Sequence, residues 1–286
     1  MSLILNIAVD GIAYGMILFM ISIGLSVTMG LMRVINLAHG AFALLGGAAA
    51  HALIARAGLS FMAAALLAIM ATMAIAFLLE RLIYRRIYGL GELQQVLATI
   101  GITFIFIALV NRLLGSSLLA IPLPHFLQQS VDLGFRVLPA HRLAVILAGA
   151  VVIAGLYLTI ERSRFGTRLR AAVDNRSIAS ALGINIDAVF AATFCLGAGL
   201  AALGGILGAE LLPIDAYYPL RYMVLFLIVV SVGGMGSITG SFMAALALGI
   251  LETASRYLIP DFGTIVFFAA VMAVLAIRPR GLLGKA

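Results

Sequence analysis

Few side chains here can do chemistry inside the apolar stretches, and the clearest are a pair. Glu252 and Arg256 stand four apart in one segment, a spacing that brings two side chains together on a helix face. An ionisable group in a membrane span faces the bundle interior or an aqueous path. Glu252 therefore reads as half of a structural ion pair or as a proton site on a translocation path. His39 reads as a packed, hydrogen-bonded ring or as a proton relay. Asp10, Asn36, Thr99, Asn111 and Arg221 are further polar candidates near or within span ends. Catalysis lacks its parts. The only lysine is Lys285, so no Gly-x-x-x-x-Gly-Lys loop holds a nucleotide. His39, His51, His125 and His141 are too dispersed for a metal site, and there is no Gly-x-Ser-x-Gly elbow. If the protein consumes ATP, another chain supplies the site.

The elements that must position these residues are apolar helices. Of 286 residues, 64% are hydrophobic and 10% charged, whereas a soluble domain carries about 25% charged residues. The mean hydropathy is +1.21. Residues 11–32, 34–55, 57–79, 93–111, 143–160, 188–209 and 222–251 contain no Asp, Glu, Lys or Arg. A span needs roughly 20 apolar residues. The fold class is therefore all-α, a polytopic integral membrane protein with eight to nine transmembrane helices, some broken or re-entrant. It reads as one transmembrane domain over 1–286. The net charge of +7 does not point to nucleic acid, because the arginines sit in short clusters between apolar runs. The single Cys195 lies in an apolar run and excludes an intrachain disulfide or thiol metal site. The N-terminus lacks the basic region of a signal peptide, so the first apolar stretch is expected to be retained.

Basic clusters mark cytoplasmic loops. Three stand out: Arg81, Arg85 and Arg86; Arg162, Arg164, Arg168, Arg170 and Arg176; and Arg278, Arg280 and Lys285. With Arg33, 12 of the 18 basic residues fall on one side. This threading places the C-terminus in the cytoplasm, the N-terminus outside, and 114–141, with Pro122, Pro124 and Pro139, as an outer segment. Residues 30–40 and 233–240 are short glycine-bearing breaks. His39-Gly40-Ala41-Phe42 resembles Thr239-Gly240-Ser241-Phe242, a weak internal echo of the kind transporters with broken helices carry. Gly204 and Gly208, with Gly197, allow close helix approach, read first as packing within the chain.

The loop 161–187 is the most informative segment. Phe165, Leu169, Ala172 and Val173 recur with helical spacing, an amphipathic face at the membrane surface. Asp174-Asn175 then offers an N-cap, and Ile178, Ala179 and Leu182 form an apolar stripe. Gly183 is placed to end that short helix, and Asn185 or Asp187 to start the next. An isolated helix of two turns is unstable in water and must dock on something; otherwise the loop is a connector whose arginines enforce topology.

Three stretches together resemble the membrane permeases of branched-chain amino acid ABC importers, the LivH-like family: GLMRVINLAHGAFALLGG at 30–47, RSRFGTRLRAAVDNRSIASALGINID at 162–187, and GGMGSITGSFMAALALGILE at 233–252. ERLIYRR at 80–86 and LATIG at 97–101 extend the likeness. Ala41 stands where many relatives carry an acidic residue, Thr239 where proline is frequent, and Ala244-Ala245 where Gly-Gly is common. An acidic group at Ala41 would offer a partner for a substrate ammonium. Importers of urea, amides and organic acids in the same family therefore stay open beside an amino acid importer.

The resemblance implies a permease in the bacterial inner membrane without catalysis or cofactor of its own. Its implied partners are a second homologous permease, two ATP-binding subunits below, a periplasmic binding protein outside, and membrane lipid. It also implies roles for residues: Asp174, Asn175, Ala179, Leu182 and Gly183 in coupling to the ATPase, and Asn36, His39, Gly40 and Glu252 on the translocation path or supporting it. The rivals are an ion-coupled secondary transporter working through Glu252, and an intramembrane enzyme or assembly factor, for which no convergent catalytic set exists.

Overall fold

The computed structural model describes residues 2–32, 34–132, 137–279 and 281–283. Arg33, Arg280 and Lys285, which enter the charge-based threading, lie outside the described residues. Among those described, the chain is almost wholly helical. Helix α1 (Ser2–Ser26) runs into a π turn at Val27–Leu31. After the first break comes α2 (His39–Ala55). Helix α3 (Phe61–Leu79) continues through a second π turn at Glu80–Tyr84, and α4 spans Glu92–Leu114. Helix α5 (Ala140–Leu156) ends in a third π turn, Tyr157–Glu161. Two surface helices follow, α6 (Arg164–Asp174) and α7 (Arg176–Ala181). The chain closes with α8 (Ile186–Gly208), α9 (Tyr218–Gly233), α10 (Ile238–Leu258) and α11 (Gly263–Ile277).

Among the described residues, six helical stretches are long and apolar enough to cross a membrane, and three shorter apolar helices, α2, α9 and α11, accompany them. The nine hydropathic segments legible in the sequence are all helices. The outer segment holds one departure, a small hairpin in which β1 (Ser130–Asp132) pairs antiparallel with β2 (Val137–Pro139), Val131 opposite Leu138.

Helix α1 is the axis of the bundle: 83% of its most apolar window is buried, against 22% for α3. A helix uniformly apolar around its circumference has no amphipathic signal to orient it, so contact geometry must do so. Glycines supply it. A methyl group on Gly204 would come 2.5 Å from Ile21, and one on Gly208 2.6 Å from Ile17, both side chains of α1. Gly197 of α8 lies against Gly24 of α1, the tightest crossing of the pair. On the other flank, a methyl on Gly15 would sit 2.7 Å from the Ala245 carbonyl, and Gly249 seats against Gly11 and Gly15. The Gly-x-x-x-Gly spacing at 204–208 thus serves packing within the chain.

The two breaks meet. A methyl on Gly30 would collide with the backbone of Gly236, which itself has φ +81°. The chain after α11 returns to the same place, with Leu282 N–H donating to the Val232 carbonyl at 2.7 Å. The two echoing segments begin parallel-running helices, α2 and α10, at one end of the bundle. That end carries Arg85, Arg86 and the arginines of 162–176, and is called here the arginine-rich end.

Gly30→Ala should cost about 1–3 kcal/mol by overpacking and lower the melting temperature of the detergent-solubilised protein. Gly89→Ala, where nothing lies within 4 Å, is the control expected to change little. An unaltered melting temperature in Gly30→Ala would contradict the packing of the two breaks.

Candidate functional site

The first break leaves backbone groups of residues 34–38 outside any helix, and the buried ones must find partners. Val34 N–H donates to the Thr28 carbonyl at 3.1 Å, and side chains of two other helical segments meet much of the rest. Gln95 Oε1 accepts from Ile35 N–H at 3.0 Å, while its amide donates to the Leu90 carbonyl at 3.0 Å. Thr99 Oγ1 accepts from Leu37 N–H at 3.2 Å and donates to the Gln95 carbonyl at 2.9 Å. Fully buried Asn36 accepts through one oxygen from Ala38 N–H at 3.2 Å and from the Tyr84 hydroxyl at 2.8 Å. Asn36 is therefore a clamp: it fixes the turn that starts α2 and ties it to the π turn ending α3.

His39 opens α2 and is buried against the α1–α8 crossing. A methyl on Gly24 would reach within 2.5 Å of its ring, and Phe42 meets it edge-on with centroids 6.0 Å apart. Its Nε2 is buried without a hydrogen-bond partner among the described residues. Gly40, one residue on, faces Pro219 and Phe226 of α9 at ordinary contact distance. Asn36, His39 and Gly40 thus form one constellation that holds the broken helix.

Glu252 stands apart from them. It is 14 residues beyond the start of α10, about 21 Å at 1.5 Å per residue. Its Oε1 accepts from Arg256 Nε at 2.8 Å and Nη2 at 2.7 Å. The pair foreseen from the i,i+4 spacing is present, and it sits towards the end of α10 opposite the arginine-rich end. The cleft beside it also contains Asp10 and Arg142, which pair with each other.

The loop 161–187 folds largely as its sequence dictates. Ser163 caps α6, and Leu169 and Ala172 are wholly buried against Met32, Val34, Val189 and Phe190. The amphipathic face thus packs on the first break and the start of α8. Asp174 is exposed at the last turn of α6. Asn175 accepts from Ile178 N–H at 3.0 Å and starts α7. At its other end Gly183, at φ +81°, donates to Ser180, and Ile184 donates to Ala179 at 3.0 Å. That pattern closes the helix with a left-handed glycine and satisfies its last carbonyls. Asn185, rather than Asp187, caps α8, accepting from Ala188 N–H at 3.0 Å; Asp187 instead pairs with Arg85.

The apolar stripe of α7 divides. Ile178 and Leu182 are 58% and 76% exposed, whereas Ala179 is buried at 2%. Ile178 and Leu182, the residue that caps the helix, are four apart and share one face, whereas Ala179 is turned about 100° from Ile178 and meets the inner face. The outward part of α7 is Ile178 and Leu182, and Ala179 is its anchor. Arg176 closes the arrangement by lying over the Phe190 ring at 4.7 Å.

Sequence reasoning passed over Gln95, Tyr84 and Arg142. The amide pair Gln94-Gln95 at the start of an otherwise apolar span was the available signal for the first. A double-mutant cycle on Asn36→Ala and Tyr84→Phe should give a coupling of about 1 kcal/mol in thermal or denaturant unfolding, since Asn36→Ala strands the buried Tyr84 hydroxyl, which Tyr84→Phe removes. Additive effects would mean the clamp is not a single unit.

The family model for the branched-chain amino acid transport system permease component matches residues 7–275. The chain is 30% identical to the high-affinity branched-chain amino acid transport system permease protein BraD of Pseudomonas aeruginosa, over 97% of this chain and 94% of that one. It is 29% identical to the LivH permease of Escherichia coli K12, over 96% and 94%. A probable LivH permease of Methanocaldococcus jannaschii is 26% identical over 96% and 90%. No solved structure matches the chain significantly. Nearly the whole length is therefore accounted for by one set of relatives, and the chain belongs to the branched-chain amino acid transport system permease component family.

Proposed function

We propose that this chain is the non-catalytic, membrane-spanning subunit of an ATP-driven importer for a branched-chain or similar amino acid. It works beside a second homologous permease, two ATP-binding subunits that carry ATP and magnesium, and a periplasmic binding protein. Its arginine-rich end faces the cytoplasm of a bacterial inner membrane and its N-terminus the periplasm. The observation that carries this reading is α7: a helix capped at both ends whose apolar residues Ile178 and Leu182 point away from the chain. Exposed apolar groups on a polar membrane surface are the mark of an interaction site.

Coupling follows from what α7 is attached to. Helix α6 anchors through Leu169 and Ala172 to Met32 and Val34 of the first break and to the start of α8. Force applied to α7 by closure of an ATPase pair therefore reaches the segment held by Asn36, Gln95 and Thr99. Asp174, Asn175 and Gly183 shape the docking element, Leu182 fills a cleft in the partner, and Ala179 seats the helix on its own chain. Asn36, His39 and Gly40 support the break rather than touch the solute. The carboxylate of Glu252 is matched by Arg256, which favours this reading over proton coupling through that residue.

Purification of a tagged chain in mild detergent should recover a second permease and two ATP-binding subunits by mass spectrometry. Recovery of this chain alone, in a preparation that still transports, would sink the proposal. Leu182→Asp should remove about 2 kcal/mol of docking free energy, roughly thirtyfold in affinity, and abolish uptake while the chain still inserts. Ala179→Asp buries a charge and should lower stability by roughly 3–5 kcal/mol, read as loss of folded protein. If the two variants behaved alike in a thermal-unfolding assay, α7 would not have distinct inner and outer faces.

A further inference from the structure

A cleft of about 140 Å³ opens at the end opposite the arginine-rich end, between α1, α5 and α10. At roughly 30 Å³ per water it has room for about five water-sized groups. Its charged lining is two acids and two bases, with Tyr14, Thr253 and Tyr257 as the other polar residues. Arg142 donates to Asp10 Oδ1, and the Tyr257 hydroxyl donates to Asp10 Oδ2 at 3.0 Å. Both bonds from Arg256 fall on Glu252 Oε1, which leaves Oε2 outside the pair. The Glu252 and Asp10 side chains are 11% and 9% exposed, those of Arg256 and Arg142 69% and 25%. The carboxylates thus form the floor and the guanidiniums the rim, with Leu211 as an apolar wall.

Four fixed charges that sum to zero tolerate a neutral guest far better than a charged one, because a net charge in a low-dielectric site is uncompensated. A zwitterion whose ammonium reaches the floor and whose carboxylate meets the rim keeps every charge paired. It replaces one ion pair by two. An amine or an acid alone satisfies half of the site and leaves the other half with excess charge.

We propose that this cleft is a low-affinity site for a free zwitterionic amino acid on the permease itself, with Glu252 taking the ammonium and Arg256 the carboxylate. The inference rests on the importer reading above and specifies where the solute first meets this chain.

The test uses the purified complex of permeases and ATPases, without binding protein or ATP, and radiolabelled L-leucine as probe. Saturable binding is expected, competed neither by 3-methylbutylamine, which lacks the carboxylate, nor by 4-methylpentanoate, which lacks the ammonium. Glu252→Gln and Arg256→Gln should each weaken it about tenfold or more, the loss of one charge-assisted contact. Arg256→Lys, which keeps the charge on an exposed side chain, should recover much of it. Absence of saturable binding to a complex that retains its ATPases would overturn this inference and leave the importer reading intact. Unchanged binding in both Gln variants, or equal competition by the single-charge analogues, would also overturn it. Loss of the ATPases from the preparation would instead overturn the importer reading.

Discussion

The close approach of backbones around α1 is the constraint on which everything else hangs. In lipid there is no hydrophobic drive to press one apolar helix on another, so association depends on dispersion at short range. Glycine is the residue that permits that range. Gly24 against Gly197 and Gly11 and Gly15 against Gly249 bring α8 and α10 onto opposite flanks of α1. Both polar constellations then depend on α1. The socket that receives His39 is made by Gly24 near one end, and Asp10 of the charged cleft stands near the other.

The break after α1 shows how a membrane protein accommodates irregular backbone. A backbone N–H left bare in hydrocarbon costs several kcal/mol; α4 brings Gln95 and Thr99 to those of Ile35 and Leu37, while Val34 donates to the Thr28 carbonyl and Ala38 to Asn36. Gln95 and Thr99 are one helical turn apart; each bonds the break, and Gln95 also bonds the turn before α4 while Thr99 bonds α4 itself. The geometry is over-determined by design of the sequence: removing one donor or acceptor leaves its partners stranded in a low-dielectric region. A segment held so tightly transmits displacement instead of absorbing it. That is what an element connecting α6 and α7 to α2 requires.

Much of this was legible in the residues, and the unreadable part has a common cause. The spans follow from the length of apolar runs, and the capped α7, a cap for α8 at Asn185 or Asp187, the terminating Gly183 and the Glu252–Arg256 pair follow from spacing over four residues or fewer. The inward face of Ala179 and the roles of Gln95, Tyr84 and Arg142 do not. They depend on which helix lies opposite, and in a bundle with apolar residues both inside and outside, periodicity carries no information about that. Tyr84 is 48 residues from Asn36, and Arg142 is 132 from Asp10. The hairpin at 130–139 was hidden for a different reason: three-residue strands between prolines leave almost no alternating pattern.

Helices α1 and α10 link the two ends of the molecule in a way that bears on how transport is driven. At the arginine-rich end Ser241 donates to Ser26 at 2.8 Å and Gly236 lies against Gly30. At the opposite end Tyr257 of α10 donates to Asp10 of α1. Between them the interface is glycine, alanine and smooth aliphatic side chains, with Phe19 and Phe242 meeting edge-on at 5.3 Å. Such an interface resists separation, because the backbones touch, and the hydrogen bonds at its two ends tie α1 to α10. A displacement imposed at the break would therefore be felt at the cleft, where Asp10 and Glu252 stand. A solute held between those acids and the arginines above them would bind one arrangement better than the other. That differential affinity is the only means by which the solute can bias the equilibrium, and by reciprocity it makes the state of the cleft felt at the break.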